Sequence, residues 1–200
     1  MEVSDAIRRR RMVRSFAPDP VAPGEVDRLL DLARRTPSAG NTQACAFLVL
    51  EGDATARLWD VTLPPERRAS FRWQGLLAAP VVVLPLVRPD AYPRRYAEAD
   101  KAGTGLGEGL DAWPVPYWWV DGGMVVEALL LAVTDAGLGA LFYGLFDHEA
   151  AVLAALGVPE GWRSLGAVAL GHPESTGDGP GRSAERPRPP LAEAVHRGGW

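Results

Sequence analysis

The spacing of apolar and polar residues predicts two helices in the first part of the chain, at 2–11 and 23–35. In the second helix the apolar residues recur at i, i+3, i+4 and i+7: Val26, Leu29, Leu30 and Ala33. Pro37 ends this helix, because proline lacks a backbone donor and clashes with the preceding turn. The next residues, 37–43, are rich in turn formers and lead into a short apolar strand at 47–50.

The longest apolar helix is predicted at 121–136, where apolar residues cover most of the helix surface. Residues 79–87 are too few for a membrane span and too rich in β-branched residues for a helix, so they predict a central strand. Pro85 places that strand near a sheet edge or a strand end. Further strands are predicted at 140–145 and 165–170, and a further helix at 149–156.

Between residues 89 and 116 the periodicity disappears, and glycine, proline and aromatic residues accumulate. A loop of this length in a compact domain is usually functional, so we predict a substrate lid over 89–119. Residues 172–200 predict a C-terminal extension rich in proline, glycine and arginine. Helices outnumber the short strands and do not alternate with them regularly, which predicts the α+β class.

The composition predicts one domain over residues 1–200. The chain has 200 residues, of which 47 % are hydrophobic and 23 % charged, so it can bury a sizeable core and differs from disordered chains. No stretch approaches the ~18 consecutive apolar residues of a membrane-spanning helix. The N-terminal residues are charged where a signal peptide is apolar. We therefore expect a cytoplasmic protein with no membrane partner.

The formal net charge of -4 argues against nucleic acid as a partner, because a basic face normally dominates such surfaces. Arginines nevertheless concentrate near both ends of the chain, where they are suited to bind anions. They are Arg8, Arg9, Arg10, Arg11 and Arg14 in the first group, and Arg182, Arg186 and Arg188 in the second.

Several common kinds of site are excluded. Cys45 is the only cysteine, so no intrachain disulfide or thiolate cluster can form, and the three histidines lie too far apart to suggest a metal site. Cys45 precedes a strand, which favours a small buried hydrophobe over a nucleophile. The glycine series at 103–109 and 137–139 lack the strand and helix context of a dinucleotide fold, and no Gly-x-Ser-x-Gly elbow is present.

Three segments carry candidate chemistry. The closely spaced arginines at 10–14 suit a phosphate, and a solvated basic face is the alternative interpretation. The turn at 37–43 combines small residues with donors and acceptors that suit the edge of a heterocycle. The aromatic run at 113–119 suits either a planar substrate or a core or subunit interface. The candidate substrate-binding residues in it are Trp113, Tyr117 and Trp118.

Taken in order, these segments resemble the FMN-dependent nitroreductase family across nearly the whole chain. The family's Arg-Arg-Ser-x-Arg/Lys pattern appears as Arg-Arg-Met-Val-Arg at 10–14, and its Pro-Ser-x-x-Asn-x-Gln turn as residues 37–43. The helix and strand at 121–145 and the Arg-Pro-Arg-Pro-Pro-Leu tail at 186–191 are also similar. The resemblance implies an α+β nitroreductase fold, with a central mixed or antiparallel sheet flanked by helices, in an intertwined homodimer with FMN at the subunit interface.

The resemblance also implies roles for individual residues. Four arginines would hold the FMN phosphate: Arg10, Arg11, Arg186 and Arg188. Arg14 would face the pyrimidine edge, where a cation stabilises negative charge on the reduced ring. The other positions matching the cofactor-binding pattern are Met12, Pro37, Ser38, Ala39, Asn41 and Gln43, and Phe142, Tyr143 and Gly144 at the strand end beside the ring.

The chain departs from the family pattern at several positions. Met12 replaces the usual hydroxyl residue, and an Ala-Cys pair at 44–45 stands where relatives commonly carry Pro-Trp, so we expect weaker FMN binding. Around Phe71 and Gln74 there is no counterpart of the Asn and Lys that some relatives direct at the flavin. The electronic tuning of the flavin is therefore expected to rest on Arg14.

The resemblance implies transfer of electrons from NAD(P)H through FMN to an electron-poor acceptor, such as a nitroaromatic or a quinone. The flavin carries this chemistry, so no side chain has to act as a nucleophile. Two other hypotheses stay open, because a fold does not fix a function. One is a flavin enzyme with another reaction, such as dehydrogenation, dehalogenation or flavin fragmentation. The other is a non-catalytic binder of a phosphorylated ligand.

Overall fold

The computed structural model of the protein describes residues 1–174 and 185–200. The helices in these ranges are Val3–Arg9 (α1), Glu25–Ala33 (α2), Ala56–Thr62 (α3), Pro65–Arg68 (α4), Ala91–Tyr96 (α5), Tyr117–Asp135 (α6), Glu149–Ala155 (α7) and Leu191–Ala194 (α8). The strands are Cys45–Glu51 (β1), Val81–Val87 (β2), Gly139–Tyr143 (β3), Arg163–Ser164 (β4) and Ala167–Gly171 (β5).

The strands form one sheet in the order β1, β2, β5, β3, and all of its ladders are antiparallel. The short strand β4 pairs with the end of β2. A single parallel bridge between Met12 and Ala140 places the N-terminal segment beside β3. The predicted α+β class, with a largely antiparallel central sheet flanked by helices, is confirmed.

The strand β2 contributes to both halves of the core, and all seven of its residues are buried. Val82 and Leu84 pack on one face of the sheet in a cluster with side chains of α3 and α7. Val81 and Val83 pack on the other face with α2 and α6. Burial on both faces explains the unbroken apolar run, and the prediction of a central strand is confirmed.

Pro85 lies near the end of its strand, which is one of the two predicted positions, and not at a sheet edge. The strand β2 has β1 on one side and both β5 and β4 on the other. On this second side Val83 pairs with Val168 of β5 and Leu86 pairs with Ser164 of β4. Pro85 lies where β2 passes from one partner to the next, two residues before the strand ends. A residue without a backbone N–H is tolerated there because the ladder is interrupted.

Residues 89–119 contain more regular structure than the sequence predicts. They include α5, three short 3-10 turns between residues 102 and 112, and the start of α6. Tyr92 is fully buried and packs with Trp113 and Trp118 in a third hydrophobic cluster. The periodicity is hidden because α5 is shorter than two turns and the segment is anchored by single aromatic side chains.

The helix α6 begins earlier than predicted, at Tyr117, and is long and apolar enough to cross a membrane by length and composition alone. It packs against α2, β2 and β3, which is the environment of a core helix. One stripe of α6 remains exposed and apolar, and it includes Tyr117, Val120 and Met124.

Candidate functional site

A cavity of about 390 Å³ lies where the N-terminal segment meets the end of β3. Val13 donates its backbone N–H to the Ala140 carbonyl oxygen (2.9 Å). This contact brings the next residue, Arg14, to the end of β3. Four of the predicted cofactor-binding residues line the cavity: Arg14, Phe142, Tyr143 and Gly144. The structure therefore brings together two motifs that lie far apart in the sequence.

Arg14 is held against the ring of Trp73 in the cavity wall. Its guanidinium carbon lies 5.4 Å from the ring centroid, and that of Arg72 lies 4.5 Å from the same ring. The Arg14 Nη1 group also donates a hydrogen bond to the Met12 carbonyl oxygen (3.1 Å). A guanidinium carries five N–H donors, so Arg14 can also serve a ligand from this position.

Trp59 and Tyr143 form a stacked aromatic pair in the cavity wall, with ring centroids 6.1 Å apart and planes 9° apart. Within the described part of the chain, neither the Trp59 Nε1 nor the Tyr143 hydroxyl has a hydrogen-bond partner, although both atoms are buried. Burial raises the pKa of Tyr143, so its hydroxyl stays protonated at neutral pH. Because unpaired buried polar groups are costly, this wall suits a ligand or water with polar atoms.

The remaining N-terminal arginines lie at the surface beside α6. Arg11 Nη1 donates to the carbonyl oxygens of Arg8 (2.6 Å) and Arg10 (2.9 Å). The Nε of Arg10 lies 3.7 Å from the carboxylate of Glu127 on α6. Arg11 thus folds back on the backbone at the end of α1, whereas Arg10 faces a carboxylate of α6.

The C-terminal arginines belong to a segment, 185–200, in which every residue is exposed. Arg186 and Arg188 are in this segment, and Arg182 lies outside the described residues. Their convergence with the N-terminal arginines on one phosphate stays a prediction.

The turn at 37–43 is closed by its own polar groups. The Gln43 backbone N–H donates to Ser38 Oγ (2.9 Å), and Gln43 Nε2 donates to Asn41 Oδ1 (2.9 Å). Asn41 and Gln43 have φ angles of 54° and 52°, in the left-handed region that is uncommon for residues other than glycine. Such strained backbone persists where surrounding structure enforces it, and it is concentrated at functional sites.

The predicted site residues therefore fall into two groups. Of the residues described, none of 37–43 lines the cavity that holds Arg14 and the end of β3. The turn instead contacts α5, and its residue Ala39 packs against the cluster of Tyr92, Trp113 and Trp118. Within one chain, the turn at 37–43 is therefore separate from the residues that line the cavity.

The aromatic run divides between core and surface. Trp113 and Trp118 are almost completely buried and make edge-on contacts with Tyr92, at 5.6 and 6.0 Å between ring centroids. The Trp113 Nε1 donates to the Leu106 carbonyl oxygen (3.0 Å). Tyr117 is 42 % exposed. The chain uses both tryptophans as core residues, and a contact of the three residues with substrate stays a prediction.

The sequence reasoning missed several residues that line the cavity: Trp59, Trp73, Phe146 and His148. Phe146 is 86 % exposed and has a φ of 46°, which is unusual for a large side chain. Its ring lies against Gly144, where an added Cβ would come within 2.8 Å of Phe146 Cζ. For Trp73 the only signal in the sequence was the adjacent cation, Arg72.

Gln74, the residue after Trp73, makes its side-chain hydrogen bonds within its own loop. Its Nε2 donates to the carbonyl oxygens of Arg68 (2.6 Å) and Phe71 (2.7 Å). Of this loop, the aromatic rings of Phe71 and Trp73 line the cavity, and Gln74 does not. The loop therefore presents aromatic surface to the cavity.

The fold and the cavity define a class of α+β protein with an antiparallel sheet between helices and an arginine beside an aromatic pocket at a strand end. The Nitroreductase family model matches residues 7–172, and the chain belongs to this family.

Three similar proteins extend the comparison over most of the chain. The 5,6-dimethylbenzimidazole synthase of Rhodospirillum rubrum is 31 % identical over 178 residues, which cover 82 % of this chain and 78 % of the relative. The NADH dehydrogenase of Thermus thermophilus is 28 % identical over 195 residues, covering 88 % and 89 %. A solved structure from Desulfovibrio desulfuricans, described as a nitroreductase in complex with FMN, is 26 % identical with a TM-score of 0.68, covering 98 % and 95 %.

Proposed function

We propose that this protein is an FMN-dependent oxidoreductase that passes electrons from NAD(P)H to an electron-poor acceptor, such as a nitroaromatic or quinone-like molecule. The observation that carries the proposal is the cavity in which Arg14 meets the end of β3. Membership of the nitroreductase family supports it, as does the similar protein whose structure contains FMN. We expect the protein to act in the cytoplasm on a small-molecule acceptor.

The residues around the cavity fit a flavin. The cavity volume of about 390 Å³ lies within the usual range for small-molecule sites, about 300–1,000 Å³. Trp59, Phe71 and Trp73 give it aromatic walls that suit a planar ring system. Arg14 and the buried polar atoms of Trp59 and Tyr143 suit the polar edge of such a ring.

The chain's own residues would bind and tune this cofactor. The guanidinium of Arg14 favours negative charge on the ring edge that it faces, which raises the tendency of the ring to accept electrons. Arg10 and Arg11, with Arg186 and Arg188 of the C-terminal segment, would hold the phosphate by charge-assisted hydrogen bonds. When bound, the flavin would supply the redox chemistry, taking two electrons as hydride from NAD(P)H and releasing them to the acceptor. The similarity to an NADH dehydrogenase supports a nicotinamide reductant.

We further propose that a second copy of the chain completes the site. The turn at 37–43 and the cavity lie apart within one chain, and a homodimer can place the turn of one copy beside the cavity of the other. Exposed apolar side chains on α1 and α6 support such an interface, including Val3, Ile7 and Val120. Phe146 beside the cavity and Trp200 in the C-terminal segment are exposed as well.

The proposal is tested by the visible spectrum of purified protein after incubation with FMN and removal of the excess. We expect retained flavin whose absorption is bleached by NADH or NADPH without oxygen and restored by a quinone or nitroaromatic. Retained flavin that neither nucleotide bleaches would contradict the proposed reductant. Failure to retain flavin would contradict the proposal and favour a non-catalytic binder of a phosphorylated ligand.

A second candidate is flavin fragmentation, which the 31 % identity to a 5,6-dimethylbenzimidazole synthase favours. The dimethyl-substituted benzene ring of that product is also one end of the flavin ring system. The test is to supply reduced FMN and oxygen and to measure 5,6-dimethylbenzimidazole by mass spectrometry. Formation of this product in step with flavin loss would replace the acceptor reductase as the function, whereas complete recovery of the flavin would exclude fragmentation.

A further inference from the structure

The turn at 37–43 is joined to α5 and α6 through one buried carboxylate. Asp121 of α6 is 2 % exposed, and its Oδ2 accepts hydrogen bonds from the Ala39 backbone N–H (2.9 Å) and the Tyr92 hydroxyl (2.7 Å). Tyr92 of α5 is fully buried among the aromatic side chains of its cluster. A single oxygen therefore fixes the turn relative to both helices.

A second contact from α5 holds the middle of the turn. Arg95 Nε donates to the Gly40 carbonyl oxygen (2.8 Å), and its two Nη groups donate to the carboxylate of Asp100 (2.7 and 2.8 Å). The ring of Tyr96 covers Gly40, where an added Cβ would lie 2.6 Å from Tyr96 Cε2. With a φ of 60°, Gly40 satisfies both the backbone conformation and this close approach.

These external contacts enforce a conformation that the turn disfavours locally. Gly40, Asn41 and Gln43 all have positive φ angles, and the last two carry side chains that make this region costly. Without an anchor at Ala39, the turn would relax to commoner backbone conformations. A turn held rigid before a ligand arrives binds more tightly, because less conformational freedom is lost on binding.

We propose that Asp121 and Tyr92 are positioning residues that hold residues 38–43 in the flavin-binding conformation. The segment 89–119 thereby controls cofactor affinity through the turn, in addition to any contact with substrate. This inference rests on the proposed function, since it takes the turn as part of the flavin site. The two residues act only by holding the conformation of the turn, and neither has to contact the flavin.

The first test is Tyr92→Phe, which removes the hydroxyl and keeps the buried ring. We expect the dissociation constant for FMN to rise about tenfold, as for loss of one buried hydrogen bond. The matched control is Val133→Ala in α6, a fully buried position about three turns beyond Asp121 that packs with α2 and does not line the cavity. It should lower the melting temperature and change the FMN dissociation constant by less than about twofold.

The second test compares two substitutions of Asp121. Asp121→Leu removes the acceptor, whereas Asp121→Asn retains an amide oxygen that can accept from both Ala39 and Tyr92. We expect Asp121→Leu to weaken FMN binding more than Tyr92→Phe, and Asp121→Asn to recover most of the affinity. In flavin-free protein, hydrogen–deuterium exchange in a peptide covering 37–43 should be faster in the leucine variant than in the asparagine variant.

The outcomes separate this inference from the proposed function. If the unaltered chain binds FMN and oxidises NAD(P)H, but Tyr92→Phe binds FMN as tightly, the positioning role is wrong and the function stands. If Val133→Ala weakens binding as much as Tyr92→Phe, general stability explains the effect and the positioning role is also wrong. If exchange in the turn responds as expected but the unaltered chain retains no flavin, the anchor of the turn is confirmed, and its link to flavin affinity fails with the proposed function.

Discussion

The cavity beside β3 and the turn at 37–43 are built in different ways. In the cavity, Arg14 stacks on Trp73, and the buried polar atoms of Trp59 and Tyr143 have no partner in the described part of the chain. In the turn, polar side chains bind one another and Asp121 anchors the backbone. The cavity thus offers charge and aromatic surface, whereas the turn offers a fixed shape. Changes in the cavity should therefore alter the flavin potential, and changes around the turn its affinity.

The largest expected effect comes from deleting residues 185–200, which should show whether the two regions meet in a dimer. Every residue of this segment is exposed, including Leu191 and Trp200, and it carries Arg186 and Arg188. We expect the deletion to turn a dimer into a monomer and to weaken FMN binding by more than about 100-fold, because two charge-assisted contacts are lost. Light scattering gives the mass, and a fluorescence titration gives the affinity.

The matched control for the deletion is a double substitution, Arg186→Gln with Arg188→Gln. It should preserve the dimer and weaken FMN binding, while binding of riboflavin, which has no phosphate, stays unchanged. An unaltered chain that is monomeric and binds FMN as tightly as the truncated chain would contradict both the dimer and the phosphate assignment.

The next effect concerns the thiol of Cys45, which begins β1 directly after the turn. Burial, and secondly the charge of Asp121, raise the pKa of Cys45 from 9.0 to about 11. At pH 8 the folded protein should contain about 100-fold less thiolate than the unfolded chain. Alkylation by iodoacetamide, followed by mass spectrometry, should therefore be much slower in folded than in denatured protein. Equal rates would show that the end of the turn is open to solvent.

The raised pKa of Cys45 also determines how the free energy of unfolding changes with pH. Between pH 9 and 11 the folded state retains the thiol proton that the unfolded state loses. The free energy of unfolding should therefore fall as the pH rises through this window, and it should fall less steeply in Cys45→Ala. Urea denaturation at several pH values gives both slopes, and identical slopes would contradict the raised pKa.

The sequence was informative wherever one residue pattern determines local structure. Three elements were predicted from the sequence: strand β2, helix α2 and the long apolar helix α6. Burial of one face of a helix gives apolar residues at helical spacing, whereas burial on more than one face gives an apolar run without that spacing. The segments at 10–14 and 142–144 were also singled out from the sequence, and in the structure Arg14 and residues 142–144 line one cavity.

The sequence was less informative where contacts join distant residues. Asp121 could not be linked to Ala39 and Tyr92, because these residues lie 82 and 29 positions away along the chain. The fold of residues 89–119 depends on such contacts and was missed for the same reason. Trp59 and Phe146 reach the cavity only through the packing of α3 and the turn after β3.

A smaller effect is expected for Arg14→Gln, which tests the electronic role of the cavity. Removing the cation should disfavour negative charge on the reduced ring and lower the flavin midpoint potential by about 30–60 mV, equivalent to one charge-assisted hydrogen bond. The potential is measured by equilibration with a reference dye. Arg34→Gln, on the surface at the end of α2, is the charge-matched control and should leave the potential unchanged. An equal shift in both variants would indicate a general charge effect.

The smallest effect is expected at Trp73, whose ring is in cation–π contact with both Arg14 and Arg72. Trp73→Leu removes a cation–π contact of about 0.5–1 kcal/mol, so Arg14 should move towards solvent and the potential should fall by about 10–20 mV. Trp73→Phe retains a weaker aromatic face and should give a smaller shift. If Trp73 acts through Arg14, the leucine substitution should cause no further shift when Arg14 is already glutamine. An undiminished shift in that background would show that the ring of Trp73 contacts the flavin directly, so that the cavity tunes the potential by aromatic surface as well as by charge.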